Sequence, residues 1–110
     1  MRRHPRYHTR EFHKGIDISV GDGEEVLASA PGTVIFAGRQ RGFGKVVIID
    51  HGNRFCTVYA HLSVLQVTER ARVERGEVLG KVGKTGNATG THLHFEIRKA
   101  GKAQNPLDYL

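Results

Sequence analysis

The sequence predicts an all-β fold: a single antiparallel, sandwich-like domain over residues 1–110, with little helix. Two observations predict it. Short runs of β-branched and aromatic residues alternate with glycine turns almost throughout. No stretch sustains a 3.6-residue apolar period long enough for a helix. The length suits one core of modest size.

In chain order the strand-like runs are Ile16-Asp17-Ile18-Ser19, Glu25-Val26-Leu27-Ala28, Thr33-Val34-Ile35-Phe36 and Lys45-Val46-Val47-Ile48-Ile49-Asp50. Residues 54–61, 78–82 and 92–98 continue the series. Between them lie Gly21-Asp22-Gly23, Pro31-Gly32, Gly42-Phe43-Gly44, His51-Gly52-Asn53, Gly86-Asn87 and Thr89-Gly90, the residue types of tight reversals. Asp50-His51-Gly52-Asn53 reads as a hairpin turn, which makes His51 structural. Ser63-Val64-Leu65 and Asn105-Pro106-Leu107-Asp108 are each expected to form a single helical turn.

Composition excludes several functions. No window approaches the roughly 18 apolar residues of a membrane span. The basic start, Met1-Arg2-Arg3-His4, is not followed by an apolar run, so no export signal is expected within this chain. Cys56 is the sole cysteine, which rules out an intrachain disulfide and a cysteine-rich zinc site. It sits in the apolar run Phe55-Cys56-Thr57-Val58-Tyr59 and reads as a structural thiol. Lysine and arginine total 17 against 11 acidic residues, a formal charge of +6. A solvated basic surface or contact with an anionic envelope accounts for this better than nucleic acid, since no recognition motif or basic helix is present.

The chemistry lies in the histidines, seven in 110 residues. His92-Leu93-His94 places two imidazoles on one face of a strand, about 6.6 Å apart along it, with Leu93 and Phe95 turned to the core. The two imidazoles can share a metal, or one can bind it while the other handles protons. His13-Lys14-Gly15-Ile16-Asp17 needs a bend, because an extended chain would hold His13 and Asp17 about 13 Å apart. Gly15 is the residue that bends most easily. Together the clusters offer imidazoles and a carboxylate of the kind that hold catalytic zinc with one position open. No H-E-x-x-H glutamate is present, so a histidine must serve as base, with His61 and His92 the candidates.

His-x-Gly-x-Asp at 13–17, Tyr59-Ala60-His61-Leu62 and Gly90-Thr91-His92-Leu93-His94-Phe95-Glu96 resemble the signature of LytM/lysostaphin-type metallopeptidases, family M23. Ala28-Ser29-Ala30-Pro31-Gly32-Thr33-Val34, His51-Gly52 and residues 80–86 fit as well, so the likeness runs from about His4 to Pro106. The resemblance implies a β-sheet groove with the metal on its floor and one zinc ion per chain, held by His13, Asp17 and His94. It implies His92 as general base toward the attacking water, and His61 as the group that orients that water or stabilises the oxyanion. The implied activity is a zinc endopeptidase acting on the peptide stems or cross-links of bacterial peptidoglycan, in the periplasm or outside the cell. Both D-Ala to diaminopimelate cross-links and glycine bridges suit a narrow β-groove, and loops 38–44 and 84–91 are expected to choose between them.

Two positions depart from the family pattern. The chain begins almost at His4-Pro5, so one groove wall is expected to be short or supplied by another molecule. Thr91 stands where proline is common, a change expected to alter a turn but not the ligands. Glu96 shares strand parity with His92 and His94 and is a candidate to hydrogen-bond a ligand imidazole from behind. Two alternatives compete with the enzyme. One is a catalytically silent wall-binding or regulatory module of the same fold, which would be expected to lose ligands. The other is a lipoyl- or biotinyl-like carrier, suggested by Val73-Glu74-Arg75-Gly76-Glu77-Val78-Leu79-Gly80, but no attachment lysine is evident.

Overall fold

The computed structural model describes residues 9–11, 16–19, 21, 23–83, 92–100 and 102–104, with the backbone alone for 9–11, 16, 17, 19 and 103. These residues contain ten strands and no helix. The strands are β1 (Thr9–Glu11), β2 (Ile16–Ser19), β3 (Glu25–Leu27), β4 (Gly32–Gln40), β5 (Gly44–Gly52), β6 (Phe55–Leu65), β7 (Arg72–Val73), β8 (Val78–Val82), β9 (His92–Lys99) and β10 (Lys102–Gln104). Every pairing is antiparallel, in the order β1-β2-β9-β6-β5-β4-β7, with β10 on β9, β8 on β6 and β3 on β8.

The central strands are buried on both sides, which explains their unbroken apolar runs. In β5, Val47 and Ile49 enter the main core with Val34, Tyr59, Leu62, Leu79, Phe95 and Ile97. Val46 turns the other way, into a smaller cluster with Val58 and Ala60 that Phe36, Phe43 and Ile48 cover. The expected single core is therefore two apolar layers on opposite faces of one sheet. Alternation of side chains along β5 and β6 makes this unavoidable once both faces are covered.

Four strands run further than the sequence predicts, β5 among them, which spans Gly44–Gly52. β4 continues to Gln40 past a register shift between Val34 and Phe36, where Ile35 is left exposed. β6 continues to Leu65, so Ser63-Val64-Leu65 is strand and not a helical turn. Backbone pairing of Val64 with Lys81 and Leu65 with Gly80 decides it. β9 gains Lys99. The segment 105–108 lies outside the described residues.

Close approach of β8 to β6 depends on a missing side chain. A Cβ on Gly80 would overlap the Val64 carbonyl oxygen, and backbone cannot give way as a side chain can. Gly80→Ala is expected to lower stability by roughly 1–3 kcal/mol through this overpacking. Urea unfolding would measure it, and an unchanged midpoint would mean the strands separate freely there.

The hairpin after β5 is present but turns later than the sequence predicts. Asp50, His51 and Gly52 stay in β5 and Asn53-Arg54 makes the turn, with Gly52, Asn53 and Arg54 all at positive φ. His51 is built into the wall of the fold. Its Nδ1 lies 2.7 Å from the Pro31 carbonyl oxygen, and its Nε2 lies 2.7 Å from Thr57 Oγ1. Thr57 Oγ1 is in turn 3.0 Å from the Tyr59 hydroxyl, which accepts the Ser29 N–H at 3.1 Å. This polar chain fastens residues 29–31 to the sheet. Tyr59→Phe would strip partners from Thr57 and from the Ser29 N–H, an expected loss of about 1–3 kcal/mol. Thermal unfolding is the check, with Tyr59→Phe as stable as wild type being the contrary result.

Candidate active site

β9 carries the candidate residues because its two faces alternate. Leu93, Phe95 and Ile97 belong to or pack against the main core. His92, His94, Glu96 and Arg98 therefore share the opposite face. In register, His94 stands between Asp17 of β2 and Ala60 of β6, and His92 stands opposite Ser19. Asp17 thus lies directly beside His94 along the sheet, while the bend expected at Gly15 between His13 and Asp17 lies outside the described residues. His13 and the side chain of Asp17 lie outside the described residues, as do His4, His8, Thr85, Asn87 and Thr91.

His61 does not end its strand, as the sequence reading has it, but sits within β6 at an irregularity. Lys45 pairs with Leu62 and Val47 with Tyr59, so β6 carries one more residue than β5 across this stretch. His61 takes up the excess at φ 65, in the left-handed region that non-glycine residues seldom occupy. Such bulges re-aim a side chain out of the regular alternation. Its backbone is fixed on both sides: the N–H donates to Phe43 O at 2.9 Å, and the carbonyl accepts from Gly83 N at 3.0 Å. The His61 ring meets that of His94 edge-on, with centroids 6.0 Å apart.

Glu96 is the residue that organises His94. It is fully buried, and its Oε2 lies 2.8 Å from His94 Nε2. Its Oε1 accepts from Arg98 Nε at 2.8 Å and lies 2.8 Å from Arg98 Nη2. Burial alone would raise the Glu96 pKa. The His94 hydrogen bond and the charge and hydrogen bond of Arg98 outweigh burial and hold the carboxyl below its ordinary range. An ionised carboxylate only accepts, so His94 Nε2 carries the donated proton. The nitrogen of His94 that would take a metal is then Nδ1. A carboxylate behind a ligand imidazole is a common way to fix its tautomer and orientation.

The donor set fits zinc in chemistry: imidazole nitrogen from His94, with a carboxylate residue opposite it in register. No group of three His, Cys, Asp or Glu side chains able to hold a metal occurs among the described residues. A cavity of about 360 Å³ opens on the other face of β9, beside Ser29, His51, Phe55, Thr57, Phe95 and Ile97. Phe95 and Ile97 point away from His94, so this cavity is separate from the histidine row. Cys56 is half-buried, its thiol pKa pushed up by burial and by Asp50 against a lowering pull from Arg98, which suits a structural role.

The strand frame, the His94–Glu96 pair and the bulged His61 can be set beside known proteins. The model of peptidase family M23 matches residues 11–106. The chain belongs to peptidase family M23. Among curated M23 relatives, the DD-carboxypeptidase/endopeptidase Mpg of Neisseria meningitidis is 47% identical over 106 residues, covering 96% of this chain and 24% of that protein. The murein hydrolase activator NlpD of Escherichia coli is 42% identical over 99 residues, covering 89% of this chain and 26% of that protein. The chain thus spans about a quarter of the length of these relatives. Among solved structures, a zinc-containing peptidase from Vibrio cholerae superimposes with a TM-score of 0.80 at 32% identity, over 84% of this chain and 28% of that one.

The sequence reading named His61, His92 and His94, and all three lie in described strands of the M23 fold. It missed Phe43, whose ring stacks on His94 with centroids 5.7 Å apart and planes 25° from parallel. The signal was present as an aromatic residue between two glycines, which reads as turn punctuation unless the aromatic itself is given a task.

Proposed function

We propose that this M23 domain is a zinc-dependent endopeptidase that hydrolyses the peptide stems or cross-links of peptidoglycan in the bacterial cell envelope. The observation that carries the proposal is the His94 imidazole, held through Nε2 by buried Glu96, in register with Asp17 and 6.0 Å from the ring of His61. His13, Asp17 and His94 would hold one zinc per chain. Zinc, when bound, would supply Lewis acidity, polarising the scissile carbonyl and acidifying the attacking water. His92, on the same face as His94, would take the proton from that water. His61, aimed by its bulge, would donate a hydrogen bond to the oxygen on which negative charge develops. The DD-carboxypeptidase/endopeptidase activity for which Mpg is named and the zinc of the Vibrio neighbour support this reading.

The likeness to NlpD supports a second reading, a catalytically silent module that binds the wall and activates other hydrolases. The presence of His13, Asp17, His61, His92 and His94 together favours the enzyme. Metal analysis of the purified protein, with muropeptide release from purified peptidoglycan in the presence and absence of a chelator, separates the two. One zinc per chain and chelator-sensitive cleavage of a peptide bond is the expected result. Folded protein with neither zinc nor cleavage would favour the regulatory module.

A further inference from the structure

Phe43 occupies the tip of the β4–β5 hairpin between Gly42 at φ 84 and Gly44 at φ 67. Two left-handed residues close the chain tightly around it, and its own N–H donates to Gln40 O at 3.1 Å. From this turn it reaches two histidines on two other strands. Its ring lies against that of His94, 5.7 Å between centroids and 25° between planes. Its carbonyl accepts the His61 N–H at 2.9 Å, at the bulge that sends His61 out of strand alternation. Beneath, the ring packs on the Val46, Val58 and Ala60 cluster.

We propose that Phe43 is a positioning residue for the site: its ring sets the tilt of His94 and its carbonyl sets the placement of His61. The pair of histidines then keeps its edge-on spacing because both are referred to one residue. Stacking of this offset kind has a preferred geometry, unlike aliphatic packing, so an aliphatic side chain of similar size cannot replace it. The role in turnover rests on the endopeptidase reading, but the placement of the rings does not.

The test uses Phe43→Leu, which keeps apolar bulk, and Phe43→Tyr, which keeps the aromatic face. In the wild-type protein, a nuclear Overhauser contact between the Phe43 and His94 rings must be present; its absence overturns the proposal whatever the variants do. Phe43→Leu is expected to move the His94 ring-proton resonances and to lower zinc affinity about ten-fold, as loss of a ligand's outer support does. It should also lower kcat by roughly ten- to a hundred-fold with KM little changed, the expected cost of a misplaced catalytic group. Phe43→Tyr should restore all three. Unmoved His94 resonances in Phe43→Leu, or failure of Phe43→Tyr to restore them, would show that Phe43 merely fills space. A wild-type protein without peptidase activity would overturn the proposed function instead, and the resonances and zinc affinity would still decide the role of Phe43.

Discussion

Replacing Glu96 with alanine is expected to destabilise the metal-free domain by about 3–5 kcal/mol, the usual result of breaking a buried ion pair from one side. The carboxylate is wholly buried and bonded to both His94 and Arg98, so its loss leaves two polar groups facing a void. Arg98 retains 32% exposure of its side chain and can turn partly to water, which argues for the lower end of that range. Glu96→Gln preserves shape and should cost less. The sign of the pH dependence follows from the lowered folded pKa. Stability contributed by Glu96 is fully present above the unfolded value of about 4.3 and is lost as pH falls through the folded value. Wild type and Glu96→Gln should therefore differ most near neutrality and converge in acid. Urea unfolding of chelated protein across pH gives the answer, and equal midpoints at pH 7 would remove Glu96 from this role.

The second large effect separates two histidines on one face of one strand. His94→Ala is expected to abolish tight zinc binding and, with it, hydrolysis. His92→Ala should retain one zinc while turnover falls by about 10²–10⁴-fold, the usual contribution of a general base. Metal content and rates measured on the same preparations read both. A His94→Ala protein that still binds one zinc tightly would end the ligand assignment. A His92→Ala protein that loses its zinc would make His92 a ligand and leave the base to be found elsewhere.

Much of this fold was legible because the central strands are strongly patterned. Val46-Val47-Ile48-Ile49 has no other use than a strand covered on both faces, and His92-Leu93-His94-Phe95 divides its residues cleanly between site and core. What the sequence hid has particular physical causes. Arg72–Val73 and Lys102–Gln104 are too short and polar to announce themselves, and neighbouring strands alone make them β. Ser63-Val64-Leu65 joins β6 through pairing with β8, a contact between distant parts of the chain that local propensity does not encode. The bulge at His61 depends on relative register, which exists only once β5 and β6 meet. Glu96 was recognisable from parity, but its pairing with both His94 and Arg98 became visible only with the side chains in place.

The position of β9 bears on how such a domain is made. β9 lies between β2 and β6, so the ladder that sets Asp17 against His94 joins residues separated by most of the chain. During synthesis, strands β4 to β6 can pair with their sequence neighbours as they emerge, whereas β2, which has β1 on one side, must wait for residues beyond position 90 before its other partner exists. Closing so long a loop is among the slower steps of β-sheet folding. The Asp17–His94 row is accordingly completed late, and a nascent or truncated chain ending before β9 cannot assemble it.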